Sequence, residues 1–375
     1  MSTVTLNRRK LRENFNYLNR FFAEKNIEWS VVTKVLCANE TFLEEVLSLP
    51  IDEFCDSRIS NLKTIKALNP DAQIVYIKPV PLTFVEDVVR YADVSFNTEV
   101  ETLSLLSSKA VSLNKFHKVV IMIEMGELRE GVVRERLLDF FGKILKLPNI
   151  EVVGIGTNLC CMNGVLPDYD KMKLLHESKQ EIEKTFDVHI PYISGGASVA
   201  IPLVLNGEMP PYINHFRIGE TLFFGTNVYD DSLIEGMYHD VFKLNAEIIE
   251  IKEKPNIPEG KLGTNLTGEK KDFNNLKKIK NTKRAIVDIG LLDLSPNNIK
   301  PVNKNLEIVG QSSDMLVLDL QNSYKNYKVG DMVAFELNYM GLLSLMNSSY
   351  VQKKVISDVH CHMKKRKNRF LERIC

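Results

Sequence analysis

A lysine, Lys34, ends the apolar run in the stretch WSVVTKVLCAN, where a buried strand would be expected to finish. Partial burial lowers the pKa of a lysine toward the range in which its neutral amine attacks an aldehyde. The alternative is a structural ion pair at the rim of a fold. Lys78, which precedes the rigid turn PVP, competes with Lys34 for the same role on pattern alone.

Two glycine-containing stretches have the composition of a phosphate site. They are SGGAS, which begins at Ser194, and RIGE, which begins at Arg217. Glycines permit close approach of the backbone, and N–H groups then point at the anion. The alternative is a pair of ordinary turns between strands and helices. A Schiff-base lysine combined with a phosphate site predicts an enzyme that uses pyridoxal phosphate.

Eight strand-like runs, each followed by a helical pattern, would position these residues within the first 230 positions. The runs are SVVTKV, DEFCDS, QIVYIK, DVSFN, KVVIMIEM, VVGIGTN, YISGG and HFRIGE. This alternation predicts an α/β fold with a (β/α)8 barrel of the TIM type over residues 1–230. The active site of such a barrel lies at the carboxyl ends of its strands, so the polar residues that end the runs are expected to surround one mouth.

The texture of the sequence changes after residue 230. Strand-like runs such as KLNAEIIEIKEK and DMVAFELNY alternate there with turn residues and little helix, which predicts a C-terminal mainly-β domain over residues 231–375. Residues 1–10 are a candidate additional strand of that domain. The polar segment 255–283, rich in Gly, Asn and Lys, is expected to form an irregular loop.

Bulk properties favour a small-molecule partner. Lys and Arg number 48, as do Asp and Glu, so the zero net charge indicates no surface for nucleic acid or an anionic membrane. The charged N-terminus lacks the core of a signal peptide and no apolar run would span a bilayer, so a cytoplasmic protein is expected.

The six cysteines show no CxxC spacing. His360, Cys361 and His362 would alternate across a strand, which argues against a metal site there.

The order of several segments resembles the pyridoxal-phosphate enzymes of the alanine racemase fold, and among them the alanine/ornithine racemase-like branch. The matching segments are TVTLNRRKLRENFNYLNRFF, VVTKVLCAN, EMGELREG, GIGTNLCC, SGGAS and HFRIGETLFFG, followed in the second domain by IVGQSSDMLVLDL and ELNYMGLL. The lysine strand and the arginine run are the most specific of these. The resemblance covers most of the chain.

The resemblance implies a role for each residue that matches a family motif. Lys34 would bind the cofactor covalently, and Arg217 would contact its pyridine nitrogen and leave that nitrogen unprotonated, because arginine remains charged. Arg129 would lie near the phenolic oxygen, and Asn158 would replace a histidine that packs on the ring. The implied phosphate contacts are Ser194, Gly195, Ser198, Gly219 and Tyr339.

Departures from the family pattern bear on the substrate. The segment EGKLGTNLTGEK, which includes Thr264 and Asn265, has no tyrosine where alanine racemase takes its second acid/base from the partner subunit. Leu291 stands where another tyrosine would be expected. These differences favour a racemase that acts on a larger, basic amino acid such as ornithine or lysine.

The second acid/base is the least determined residue of the expected site. Asp293 is a candidate, with Cys160 and Cys161 as alternatives, because thiols and carboxylates titrate more usefully near neutrality than Thr or Asn. Within the head-to-tail homodimer that the resemblance implies, Ser313 and Asp314 are the expected substrate-binding residues. Two other functions remain open: a non-catalytic pyridoxal-phosphate homeostasis protein, and a D-threonine aldolase-like lyase of the same fold.

Overall fold

The computed structural model describes residues 1–266, 268, 270, 272–273 and 281–357. They form two compact units: one is Arg12–His239, and the other combines Met1–Leu11 with the described residues from Asp240 onward. Residues 231–239 therefore belong to the first unit. His360, Cys361 and His362 lie outside the described residues.

Seventeen strands and ten α-helices make up these units. The strands are β1 Thr3–Asn7, β2 Glu28–Val32, β3 Glu53–Asp56, β4 Gln73–Tyr76, β5 Val94–Asn97, β6 His117–Met122, β7 Ile150–Gly156, β8 Tyr192–Ser194, β9 Gly196–Ala197, β10 His215–Ile218, β11 Phe242–Lys254, β12 Thr282–Val287, β13 Ile299–Pro301, β14 Glu307–Gln311, β15 Leu316–Asp319, β16 Met332–Leu337 and β17 Gln352–Ile356 among the described residues. The helices within the same residues are α1 Arg8–Ala23, α2 Glu40–Leu47, α3 Ile59–Leu68, α4 Val85–Tyr91, α5 Val100–Ser112, α6 Leu137–Ile144, α7 Tyr169–Phe186, α8 Ile201–Leu205, α9 Glu220–Phe224 and α10 Tyr339–Asn347.

The first unit is a parallel barrel with helices between successive strands. Its strand order is β8-β7-β6-β5-β4-β3-β2-β10-β9. The seventh predicted run, YISGG, is split at Gly195. Its first half, β8, pairs with β7, and the strand that follows Gly195, β9, pairs with β10. The same segment therefore bonds to both neighbours, and the sheet is nearly closed. The prediction of an α/β barrel followed by a β-domain is confirmed.

Alternating apolar residues fill the inside of the barrel. Val94 and Phe96 on β5, like Val120 and Met122 on β6, are two positions apart, face the same side and are buried in one cluster. Burying a side chain of this size stabilises the folded state by about 1.5–3 kcal/mol.

A Cβ added at Gly196 would lie 2.0 Å from the Phe216 ring, so only glycine fits at the start of β9.

The second unit is a mainly antiparallel sheet with the order β13-β16-β11-β12-β15-β14. The N-terminal strand β1 joins it, antiparallel to β11 and parallel to β17. The 13-residue β11 is the longest strand of the described chain, and its register with β12 shifts between Ile248 and Glu250. The polar segment 255–283 has no regular element in its described part before β12 begins at Thr282, and residues 267, 269, 271 and 274–280 lie outside the description.

Candidate active site

Lys34 lies just beyond the carboxyl end of β2, at the start of a single 3-10 turn, Lys34–Leu36. The preceding Thr33 fixes this turn to β3, because its N–H donates to the Cys55 carbonyl at 2.9 Å and its hydroxyl donates to Asp56 Oδ2 at 2.8 Å. Lys34 itself is exposed, so the partial burial expected from the sequence is not observed within the described residues. The rival Lys78 is half-buried and follows β4.

Asp56 is the anchor of this turn. Its buried carboxylate also accepts hydrogen bonds from the Asn61 amide at 3.1 Å and from the backbone N–H groups of Ser57 and Arg58. Burial raises the pKa of Asp56, although these hydrogen bonds act in the opposite direction. The sequence places Asp56 near the end of a predicted strand. Its contact with Thr33 could not be predicted, because it depends on the pairing of β2 with β3.

Arg217 is a buried cation at the centre of the barrel, with only 4% of its surface exposed. Its Nη1 donates to the Ser194 carbonyl at 2.9 Å and to Ser194 Oγ, and its Nη2 donates to the Thr157 carbonyl at 2.8 Å and to Asn158 Oδ1 at 2.7 Å. The guanidinium carbon lies 5.2 Å from the centre of the Phe96 ring. Burial lowers the pKa of Arg217, yet a guanidinium stays charged in proteins.

The hydrogen bonds of Arg217 determine which donor remains for a ligand. A guanidinium has five N–H groups, and the four on Nη1 and Nη2 are matched by the four acceptors on Ser194, Thr157 and Asn158. Nε–H is the donor left over. The rigid acceptors therefore present one N–H of a buried cation, which suits an acceptor such as a neutral ring nitrogen.

Asn158 connects Arg217 to a second arginine through Glu130. Its Nδ2 donates to Glu130 Oε1 at 2.5 Å, and Glu130 also accepts from Arg129, whose Nη2 lies 2.6 Å from Oε1. Burial opposes ionisation of Glu130, but hydrogen bonds from Arg129 and Asn158 outweigh it and lower its pKa. The sequence reasoning missed Glu130, although it directly follows Arg129 in ELREG. The Asn158 amide therefore bridges the Arg217 guanidinium and the Glu130 carboxylate.

A backbone cradle lies at the ends of β9 and β10. The N–H groups of Gly219 and Thr221 point at Ser198 Oγ, at 3.4 and 3.3 Å. A Cβ at Gly219 would lie 3.1 Å from Val32 Cβ, and one at Gly195 would lie 2.9 Å from Ile213 Cγ2, so both glycines permit close packing. Two converging N–H groups beside a serine hydroxyl fit a phosphate group.

Ser194 has a different environment from the phosphate contact that the resemblance implies. Its buried hydroxyl accepts from Arg217 and lies 2.6 Å from His215 Nδ1. The hydroxyl thus already has two partners within the protein, so Ser194 supports Arg217. The phosphate role is better supplied by Ser198 and the N–H groups that face it.

Two buried polar atoms at the carboxyl ends of barrel strands have no hydrogen-bond partner within the described part of the chain. They are Thr157 Oγ1 and Asn97 Oδ1. Leaving such an atom unsatisfied costs about 1–3 kcal/mol, and unsatisfied atoms are uncommon in folded proteins. Thr157 is also the residue whose carbonyl accepts from Arg217. Its hydroxyl, the remaining donor of Arg217 and the backbone cradle together fit pyridoxal phosphate.

One carboxylate holds the loop that follows β7. Glu127, 1% exposed, accepts hydrogen bonds from five backbone N–H groups of that loop, those of Cys160, Cys161, Met162, Asn163 and Val165. Burial opposes ionisation, but these N–H groups prevail and lower the pKa of Glu127 to about 2. No local pattern in the sequence distinguishes this glutamate, because its partners are more than thirty residues away.

The loop carries the two cysteines that were alternative proton carriers. Cys160 has a left-handed backbone with φ 58° and is half-buried, whereas Cys161 is exposed. Burial, reinforced by the charge of Glu127, raises the pKa of the Cys160 thiol. A thiol with a raised pKa is rarely a thiolate at neutral pH, which disfavours Cys160 as a base.

The remaining predicted site residues lie in the second unit. Asp293 is half-buried and its Oδ1 accepts from Ser348 Oγ at 2.6 Å. Ser313 and Asp314 are exposed neighbours linked by a 2.7 Å hydrogen bond, and the N–H of Leu292 donates to the Ser313 carbonyl. Two adjacent turns thus bring Asp293 near Ser313 and Asp314. Tyr339 is half-buried at the start of α10.

Within the described residues, no group of three or more His, Cys, Asp or Glu side chains is arranged to hold a metal ion. No helix in that part of the chain is both long and apolar enough to cross a membrane.

Comparison with known proteins identifies the family of the chain. A model of the alanine racemase N-terminal domain matches residues 6–227. The chain is 39% identical over 354 residues to ornithine racemase of Acetoanaerobium sticklandii, covering 94% of this chain and 99% of that protein. It is 32% identical over 351 residues to lysine racemase of Thermotoga maritima, covering 93% and 97%. Alanine racemase from Bartonella henselae, solved with covalently bound pyridoxal phosphate, has the same fold, with a TM-score of 0.72 at 16% identity over 95% of this chain and 99% of that one.

These features define the class of alanine racemase-fold enzymes. They are a barrel with a lysine beyond its first strand, β2, a buried arginine, a backbone cradle and a second, mainly-β unit. The chain belongs to the alanine racemase family.

Proposed function

We propose that this chain is a pyridoxal-phosphate-dependent racemase that interconverts the L and D enantiomers of a basic amino acid such as ornithine or lysine. The observation that carries the proposal is Arg217, a buried cation with one donor to spare, beside the cradle of Ser198 and Gly219. Similarity to an ornithine racemase and a lysine racemase over more than nine-tenths of the chain supports it.

Each residue of the barrel has a defined task in this proposal. Bound pyridoxal phosphate supplies the electron sink that makes the α-proton of an amino acid acidic. Lys34 holds the cofactor and moves the proton on one face of the substrate. Arg217 donates to the ring nitrogen through Nε–H. The cradle binds the phosphate, and Arg129 lies toward the phenolic oxygen.

The opposite face of the substrate needs a second proton carrier, because Lys34 serves only the face on which it lies. We assign this role to Asp293 of the partner subunit in a head-to-tail homodimer, with Ser313 and Asp314 of that subunit as substrate-binding residues. Exposed apolar side chains in the loops at the carboxyl ends of the barrel strands favour association of this end. They are Leu82, Phe84, Leu128, Met162 and Leu166.

A basic substrate follows from the same arrangement. Asp314 is an exposed carboxylate and can meet an ammonium group on the substrate side chain. Leu291, which stands where the family pattern has a tyrosine, removes bulk and a hydroxyl from that region. A longer substrate than alanine then has both space and an opposite charge.

The test is racemisation of L-ornithine, L-lysine and L-alanine by the protein loaded with pyridoxal phosphate, followed by chiral chromatography. We expect inversion of the two basic amino acids with kcat/KM at least about tenfold above that for alanine. A preference for alanine would overturn the substrate assignment. Binding of the cofactor without inversion of any amino acid would instead favour a non-catalytic carrier.

A further inference from the structure

A chain of hydrogen bonds leads from Arg217 to the amino-terminal end of the barrel strands. Arg217 Nη1 donates to Oγ of Ser194, and this oxygen lies 2.6 Å from Nδ1 of His215. The other ring nitrogen of His215, Nε2, lies 3.0 Å from Glu53 Oε1. His215 and Glu53 are the first residues of β10 and β3, so the chain runs from the buried cation to the end of the barrel opposite Lys34.

The donors and acceptors in this chain assign its protons. A carboxylate only accepts, so His215 Nε2 beside Glu53 carries a proton and donates to it. A guanidinium only donates, so Ser194 Oγ accepts from Arg217 and keeps its own O–H to donate to His215 Nδ1. A carboxylate that selects one histidine tautomer in this way also fixes the orientation of the ring.

Glu53 is itself held in place and reaches solvent. Its Oε2 accepts from Gln73 Nε2 at 3.1 Å. Glu53 and His215 line a cavity of about 370 Å³ at the amino-terminal end of the strands, together with Asp52 and Tyr192. His215 is 8% exposed and Arg217 4%, so the chain links a partly exposed carboxylate to a nearly buried cation.

Two chains of hydrogen bonds connect Arg217 to carboxylates that it does not contact directly. None of the described carboxylates forms an ion pair with Arg217. One relay runs through Ser194 and His215 to Glu53, and the other runs through Asn158 to Glu130. Hydrogen bonds in series polarise one another, so both distant carboxylates strengthen the acceptors that the guanidinium meets.

We propose that Glu53 and His215 are positioning residues for Arg217, which they hold through Ser194. The inference rests on the proposed function, since it takes the Nε–H of Arg217 as the donor to the cofactor. With the chain intact, Nη1 is fixed and Nε–H is the donor that faces the ligand. Without Glu53 the imidazole loses the partner that selects its tautomer, Ser194 loses its acceptor, and the guanidinium is free to turn.

The test compares Glu53→Gln and Ser194→Ala with Asp52→Asn, which removes a negative charge from the same cavity without touching the chain. Nitrogen-15 NMR of the apoprotein reports the tautomer of His215, and titration of pyridoxal phosphate gives its dissociation constant and the absorption maximum when bound. We expect Glu53→Gln to change the tautomer population, weaken cofactor binding about tenfold and shift the absorption maximum. Asp52→Asn should leave all three unchanged. The double variant Glu53→Gln/Ser194→Ala should bind the cofactor no more weakly than Ser194→Ala alone, because both changes break one chain.

Unchanged tautomer, affinity and absorption in Glu53→Gln, with only a lower melting temperature, would show a structural role and overturn the proposal. Additive losses in the double variant would also overturn it. None of these readouts needs a substrate. A wild-type protein that binds pyridoxal phosphate but inverts no basic amino acid would therefore refute the proposed function while this test kept its force.

Discussion

The two units of the molecule hold their candidate site residues in contrasting ways. In the barrel, Arg217 and Glu127 are nearly inaccessible and each is fixed by several hydrogen bonds. In the β-unit, Ser313 and Asp314 are exposed on a turn, and Asp293 has a single side-chain partner, Ser348. This difference is what the proposed function requires: a barrel preorganised for the cofactor, which is the constant part of the reaction, and a β-unit whose adjustable groups meet the substrate.

Removal of the lysine should have the largest effect. We expect Lys34→Ala to lower the racemisation rate by about 10³-fold or more, because both the covalent anchor of the cofactor and one proton carrier are lost. Lys78→Ala is the matched control, being a lysine beyond a neighbouring strand, and should keep nearly full activity. Equal losses in the two variants would leave the choice of lysine unsupported.

Asp293→Asn tests whether the β-unit carries the second proton. Exchange of the α-proton in deuterated buffer should fall by about 10²-fold or more for one enantiomer of ornithine and remain for the other, because only one face loses its carrier. Cys160→Ser and Cys161→Ser should leave both exchange rates in place. A symmetric loss in Asp293→Asn would assign this residue to substrate binding, and wild-type exchange would remove it from the mechanism.

Gly290→Ala should separate the tasks of the two units. A Cβ at Gly290 would lie 2.1 Å from the Ser313 carbonyl oxygen and 2.4 Å from Asp314 Cα, so the turn that carries Ser313 and Asp314 must move. Small misplacements of this kind cost about tenfold or more in turnover, while the barrel should bind pyridoxal phosphate as before. Gly263→Ala, at a position with open space around the added Cβ, is the control. Loss of cofactor affinity in Gly290→Ala would contradict the division of labour.

Glu127→Gln should give the smallest effect, mainly on stability. Removal of the charge weakens five hydrogen bonds to the loop after β7, and we expect a loss of about 2 kcal/mol near neutral pH, or roughly 4–8 °C in Tm. The folded pKa of about 2 lies below the unfolded value near 4.3, so the contribution of Glu127 is present above that value and is lost as pH falls toward 2.

Thermal unfolding of wild type and Glu127→Gln at several pH values checks this sign. The difference in Tm should shrink between about pH 5 and pH 2. Glu181→Gln, an exposed glutamate on α7, should lower Tm little at any pH. A gap that widened in acid would contradict the role of the ionised carboxylate.

The sequence predicted the barrel, the β-domain and the positions of Lys34 and Arg217, because these features depend on local alternation and on strand ends. It could not predict the partners of Arg217. Glu130 and Glu53 are distant from it in the chain, and even His215, two residues away on β10, is joined to it only through Ser194 on β8, which becomes its neighbour once the barrel forms. Ser194 illustrates the limit: its place at a strand end was foreseen, but its contact with His215 depends on the barrel bringing the end of β8 beside β10.

The most direct test of the central claim is borohydride reduction of the protein loaded with pyridoxal phosphate, followed by peptide mapping. Reduction fixes the cofactor on the lysine that holds it. We predict a single labelled peptide containing Lys34, with the label absent from Lys34→Ala. A label on Lys78 or on any other lysine would contradict the assignment of this barrel mouth as the active site.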